Sequence, residues 1–356
     1  MDDEAEGISA EELQLATRNH GMPLEALAYP ITPIGLHYLL IHYDIPVVDG
    51  AAWRLGVEGD VERPLHLSLE EIRARPAITM EATFECAGNG RALMRPRAIS
   101  QPWLREAVGT GAWTGTPIRP LLDEAGVRPG AVEVVFTGMD RGVEAELDQR
   151  YRRSLPLDEA MGDDVLLAYE LNGRALPPQH GYPLRLVVPG WYGMTNVKWL
   201  QSIEVVSQPY RGYQNERAYR FRMTDDEPGV PLTRMVPRSL MVPPGVPEFM
   251  SRRRFVDAGR TLIEGRAWSG WGAIERVEVS DDGGATWSAA ALEPQRSAHA
   301  WQGWSFDWTP PGPGEFELCC RARDGAGNEQ PLEPEWNVGG YANNAVQRVG
   351  VTVREP

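Results

Sequence analysis

The 356-residue chain is poor in cysteine, in positive charge and in long apolar runs, and each shortage excludes something. Three cysteines, Cys86, Cys319 and Cys320, cannot form a disulfide framework. A reducing, cytoplasmic home is therefore the expectation. On a strand, the adjacent Cys319 and Cys320 point to opposite faces, and the plain reading is that they fill core. A formal charge of -15 argues against a nucleic-acid partner, because neutralising phosphates needs clustered Lys and Arg. It leaves room for a buried local basic pocket. No run of about 18 apolar residues exists, so no membrane span is expected. The acidic opening, residues 1–14, lacks the charged-then-apolar pattern of an export signal. G-x-S-x-G, H-E-x-x-H, C-x-x-C and Walker loops are absent, and so is the C-x-x-C-H that attaches haem.

What is there is an ordinary globular composition, 42% hydrophobic and 24% charged with 12 Trp. The length suits two domains, or one large domain with a satellite. From about 50 to 210, short strands and helices mix. Residues 132–138, 166–173 and 184–190 read as strands closed by Gly turns. Ser68 and Glu71 form a capping box that opens a short helix, and residues 157–161 read as another. The stretch after about 225 is rich in Pro and polar residues and reads as a linker. Beyond it, apolar-alternating runs at 261–268, 274–280, 316–324 and 347–353 recur without helices. That pattern predicts a β-sandwich of immunoglobulin type. The fold class is thus α+β followed by an all-β sandwich, divided as 1–235 and 236–356.

Most local motifs have a bland reading. Residues 280–287 match a single S-x-D-x-G-x-x-W hairpin, a tight turn over a Trp. Gly88-Asn89-Gly90 faintly resembles a dinucleotide loop, but Leu93 stands where the third glycine belongs and no β-α-β unit follows. The informative segment is Phe84 to Arg91, which puts Cys86 between an apolar-rich strand and a Gly/Asn loop. Strand ends are where ligands and nucleophiles tend to sit. A nucleophile would want a base such as His180, whereas a soft thiolate equally suits a metal. Further on, His180, Arg185 and Lys198 lie on turns beside strands. If they converge they make an anion site, most naturally for phosphate.

The strings Cys86-Ala-Gly-Asn89, Leu167-Ala-Tyr-Glu-Leu-Asn-Gly173, His180-Gly-Tyr-Pro-Leu-Arg185 and Val197-Lys-Trp-Leu200 resemble the sulfite oxidase family in order and spacing. So do residues 265–270, 280–287 and the stretch from Trp336 through Asn344 to Val349, and the resemblance runs from about residue 30 to the end. It implies a molybdopterin cofactor holding molybdenum, with Cys86 as the only protein ligand to the metal. It implies that His180, Arg185 and Lys198 grip the cofactor's phosphate, that Asp140 and Ser154 contact the pterin, and that His42 contacts the cofactor near the metal. Arg91, Trp103 and Tyr219 match residues around the substrate position. Arg18-Asn19-His20 matches a family string, yet Ile31-Thr-Pro33 anchors the alignment so that Leu40 takes the place of a pocket arginine. A second pocket arginine has no counterpart near Trp301 to Trp308. The second domain resembles the family's dimerisation module, which implies a homodimer.

The function expected is two-electron oxygen-atom transfer at molybdenum, oxidising sulfite to sulfate and passing electrons to a separate acceptor, with no haem. The alternatives are reduction of S-oxides or N-oxides, a non-catalytic binding or assembly role, and, more distantly, a Cys-His hydrolase.

Overall fold

The computed structural model describes residues 7–355; the first six residues of the acidic opening lie outside the described residues. Two sheets organise the first part of the chain. One has five strands in the order Leu65–Ser68, Arg54–Gly59, Leu200–Val206, Glu133–Glu144 and Leu147–Pro156. Its parallel pair joins Arg54–Gly59 to Leu200–Val206. The second sheet carries the Cys86 strand: Ile78–Glu85 pairs with Val108–Pro117, which pairs with Leu166–Leu171. Arg174–Ala175 and Arg185–Val187 both pair with Leu166–Leu171. That central strand is apolar on both faces because both faces are covered, Leu166, Ala168 and Leu171 packing against one core and Leu167 and Tyr169 against another.

The Ser68–Glu71 box caps Leu69–Arg73 as expected, with the Glu71 amide donating to Ser68 Oγ at 3.2 Å and the Ser68 amide donating to Glu71 Oε2 at 2.8 Å. The same device at Ser9 and Glu12 caps a helix, Ala10–Arg18, that the sequence reading did not assign. The strand expected at 132–138 runs on to Glu144, and that expected at 184–190 is only Arg185–Val187.

The second part packs a four-stranded sheet, Arg238–Met241, Thr261–Trp268, Gln302–Trp308 and Ala291–Leu292, on a six-stranded one containing Ile274–Ser280, Gly314–Asp324 and Gln347–Arg354. Trp304, Trp308, Leu318, Cys320 and Val351 fill the space between them. The stretch read as a linker is largely structured. Leu232, Met235, Leu240 and Met241 are buried, and Arg238–Met241 pairs with Thr261–Trp268. Its prolines mark bends, but its apolar residues have cores to enter. Of the two adjacent cysteines, only Cys320 joins the core between the sheets, while the Cys319 thiol lies 4.0 Å from Arg348 on the opposite face. The hairpin at 280–287 is a turn organised by Asp282, whose carboxylate accepts from the Ala285 and Thr286 amides at 2.9 Å.

The two parts share a core of Met22, Leu27, Tyr192, Tyr219, Trp268 and Trp301, among others. Polar contacts cross there too. The Trp301 amide donates to Thr83 Oγ1 at 2.8 Å, and the Ala342 amide donates to the Ala87 carbonyl at 2.8 Å. The second part is therefore built onto the strand and loop that carry Cys86.

Candidate active site

Cys86 follows the last paired residue of its strand, since Glu85 is opposite Val108. Its amide donates to Ala107 O and its carbonyl accepts from the Asn89 amide, both at 2.9 Å. The turn that follows needs glycine at 90, where φ is +90° and a Cβ would meet the Asn343 side chain at 2.9 Å. The loop is fixed from behind. Buried Glu85 accepts from Asn89 Nδ2 at 3.0 Å and Trp268 Nε1 at 2.9 Å, and its carboxylate lies 2.7 Å from Arg238 Nε.

The thiol borders a cleft enclosing about 700 Å³. Of the residues singled out from sequence, Cys86, Tyr219, His42, Asp140, His180, Arg185 and Lys198 line it. Segments distant in sequence meet here because the strand Leu166–Leu171 holds Ile78–Glu85, through Val108–Pro117, on one side and Arg185–Val187 on the other.

In the basic cluster His180 and Arg185 are buried and Lys198 half-buried. Arg185 stacks on Phe84 and Trp113, its guanidinium carbon 5.1 and 4.7 Å from the ring centres, and donates to the His180 and Asn196 carbonyls at 3.0 and 3.1 Å. Its Nε has no partner among the described residues. Lys198, the sole lysine in the chain, donates to the carbonyls of Leu40 at 2.7 Å and Gln179 at 3.0 Å. Burial, reinforced by Arg185, pushes Lys198 down to about 7. Burial also pushes Arg185 down to about 10, and burial with neighbouring positive charge drives His180 far below the usual histidine range. Asp140 is the carboxylate in this group, and burial lifts it to about 6 against the pull of Lys198 and His42.

The sequence reading missed His37, whose ring packs edge-on to His180 at 5.6 Å and whose Nε2 has no partner among the described residues. No motif marks it; its place just after Ile31-Thr-Pro33 was the available hint. Tyr151 was also missed, and it lines the cleft while donating to the Met194 carbonyl at 2.7 Å. His42 pairs with Glu144 at 3.0 Å, a carboxylate that also accepts from Tyr43 and Gln214.

Arg91, Trp103 and Ser154 lie outside the cleft lining. Arg91 packs on the second-domain side of the thiol, donating to Gly339 O at 2.8 Å and lying 4.8 Å over the Tyr341 ring. The buried Trp103 indole faces Cys86. Ser154 accepts from Asn215 Nδ2 at 2.8 Å. Burial raises the Cys86 thiol, against the opposing pull of Arg91. Leu40 lines the cleft, whereas Arg18 is exposed and donates to Tyr43 O at 2.9 Å. The string Arg18-Asn19-His20 does approach the site, with Asn19 Oδ1 accepting from the Ile41 amide at 2.7 Å, but its arginine points away to the surface.

These residues fit an anionic metal cofactor. Buried cations with unspent donors need an anion to offset their desolvation. Among the described residues no three His, Cys, Asp or Glu side chains gather as a metal cage. The one thiol in the cleft can supply a single soft donor, which suits a metal whose remaining donors come from an organic ligand.

Comparison with known proteins agrees. The oxidoreductase molybdopterin binding domain matches residues 42–214, and the Mo-co oxidoreductase dimerisation domain matches residues 234–354. Sulfite oxidase of Gallus gallus is 36% identical over 348 residues, covering 92% of this chain and 74% of that protein. Sulfite oxidase of Arabidopsis thaliana is 32% identical, covering 90% and 87%. Mitochondrial sulfite oxidase of Rattus norvegicus is 34% identical over 91% of this chain, which spans 62% of that protein's length. Among solved structures, the sulfane dehydrogenase SoxCD from Paracoccus pantotrophus is 29% identical, with a TM-score of 0.80 over 98% of this chain and 91% of that one. Thiol, buried basic cluster and two-part architecture thus converge: the chain belongs to the sulfite oxidase family of molybdopterin-dependent oxidoreductases.

Proposed function

We propose that the chain oxidises sulfite to sulfate, taking the added oxygen from water and releasing two electrons and two protons, with the electrons leaving to a separate acceptor. The observation that carries this reading is the shared cleft of Cys86 and the basic side chains His180, Arg185 and Lys198. Those side chains would hold the phosphate of the cofactor, Arg185 and Lys198 by charge and His180 by hydrogen bonding, Cys86 would ligate molybdenum, and Asp140 and His42 would contact the cofactor beside them. When bound, the metal centre supplies two-electron redox chemistry. The protein's share is to bind, orient and exclude water. Tyr219 lines the cleft, and Arg91 adds positive charge near the thiol. Ser154 would serve through Asn215, which it holds.

The second part, divided from the first near residue 235, is read as an immunoglobulin-like sandwich that pairs two copies into a homodimer, and the whole as cytoplasmic. A second reading is favoured by Leu40, which puts an apolar wall where the resemblance expects an arginine. A neutral S-oxide or N-oxide, reduced by the reverse chemistry, would suit that wall, as would a sulfane sulfur of the kind named for the Paracoccus enzyme.

The test is sulfite-dependent reduction of ferricyanide, two equivalents per sulfite, by protein shown to contain molybdenum. Saturable turnover that vanishes in Cys86→Ser supports sulfite oxidation. No turnover by the metal-loaded enzyme rejects it and moves the assay to sulfoxides and N-oxides with a reduced dye.

A further inference from the structure

A second cavity, of about 590 Å³, lies behind the Cys86 loop, between that loop and the second part of the chain. Gly90 and Leu93 form its inner wall, Asn343 and Val346 its side, and Arg105, Arg238 and Arg348 its charged lining, with Glu333 the acidic residue on the wall.

The three arginines are not equivalent. Arg238 is paired with Glu85 at 2.7 Å. Arg348 is paired with Glu317 at 2.7 Å and with Glu333 at 3.1 Å. Among the described residues, Arg105 makes its hydrogen bonds through its backbone alone, and its guanidinium has no carboxylate within ion-pair distance. It is half-buried, and burial together with Arg238 lowers its proton affinity against the pull of Glu106. A half-buried arginine whose donors meet no acceptor keeps them available to an anion.

The mouth of the cavity is accessible. Leu332 is 42% exposed, and the Glu333 side chain, 79% exposed, closes on Arg348 only by a surface ion pair of the weak, salt-screened kind. An incoming anion can displace Glu333 from Arg348 and gain Arg105 as well. Cys319 lies on this side, its thiol 4.0 Å from Arg348, while Glu317 keeps its own pairing with that guanidinium.

We propose that this cavity is a binding site for a small oxyanion such as sulfate or phosphate, held by Arg105 and Arg348 with Glu333 as the group it displaces. The site is separate from the catalytic cleft, and its wall is the back of the loop that carries Cys86. Through Arg238, which donates to the Asn89 carbonyl at 3.3 Å and pairs with Glu85, an anion there braces the loop from the second part of the chain.

Two measurements on the cofactor-loaded full chain test it. Selenate soaked into crystals is expected to give an anomalous peak within hydrogen-bonding reach of Arg105. In solution, sulfate is expected to raise the melting temperature above that in chloride at equal ionic strength. Arg105→Gln should weaken that sulfate affinity roughly tenfold, the loss of about one charge-assisted hydrogen bond. Glu333→Gln, on an exposed side chain that folding does not need, should strengthen it by removing the competitor. Selenate elsewhere and not beside Arg105, or sulfate protection unchanged in both variants, overturns the proposal. If Arg105→Gln does not fold, the selenate position and the Glu333→Gln shift decide it alone.

Discussion

Glu85 and Arg238 form a buried ion pair of 2.7 Å that ties the residue before Cys86 to the first strand of the second sheet pair. Both are almost wholly removed from solvent, and Trp268 and Asn89 complete the hydrogen bonding of the carboxylate. Breaking such a pair leaves the survivor buried and uncompensated, which costs about 3–5 kcal/mol. Glu85→Gln or Arg238→Met should each lower stability by that order in urea unfolding. The double variant should lose less than the sum of the singles, and additivity would mean that the two do not act as a pair.

Lys198 supplies a pH prediction for cofactor-free protein. Its folded proton affinity is depressed from 10.5 to about 7, so above pH 7 the unfolded chain binds a proton that the folded chain does not. Stability contributed by this group therefore rises with pH through that window and is lowest below it. Lys198→Met should remove the rise, read as the difference between the two unfolding profiles. An anion in the cleft restores the proton, so inorganic phosphate should bind with proton uptake above pH 7. Titration calorimetry in two buffers of different ionisation enthalpy measures that uptake, and its absence would separate Lys198 from the anion site.

Arg18 and Arg91 should behave oppositely. Arg18 is exposed and spends its guanidinium on the Tyr43 carbonyl. Arg18→Ala should leave the KM for sulfite within about twofold, as surface substitutions generally do. Arg91→Met should raise KM by roughly tenfold or more, the size expected for one charge-assisted contact. A large Arg18 effect would show that the surface string reaches the substrate after all.

Gly115 lies in the strand that joins the Cys86 strand to the Arg185 side of the cleft. A Cβ there would sit 2.3 Å from the Leu167 carbonyl oxygen, and backbone cannot swing aside. Gly115→Ala should cost about 1–3 kcal/mol and loosen cofactor retention with it. Thermal unfolding and molybdenum content measured on the same sample check both halves.

The pieces of the site that the sequence made legible are those with local chemistry in a distinctive string. Cys86 in its Gly/Asn loop and the His180, Arg185, Lys198 series were readable because thiols and cations in turns are conspicuous. His37 and Tyr151 were not, since a histidine or tyrosine in an apolar setting looks like packing until its neighbours are known. Arg91 and Trp103 flank the thiol instead of lining the cleft, because the Gly339 carbonyl and Tyr341 take the Arg91 side chain. That contact spans 248 positions and leaves no local trace. The supposed linker misled for the opposite reason: Pro and Gly set its bends, while Met235, Leu240 and Met241 had buried places waiting in another part of the fold.

A chain with one lysine offers a chemical convenience. Amine-directed reagents can modify only the Lys198 ε-amine and the α-amine, and the former is nucleophilic near neutral pH because burial has brought it to about 7. An anion seated on Lys198 would shield it. The extent of acylation at this one position, read by peptide mass, would therefore report what fraction of a preparation is loaded, without any assay of turnover.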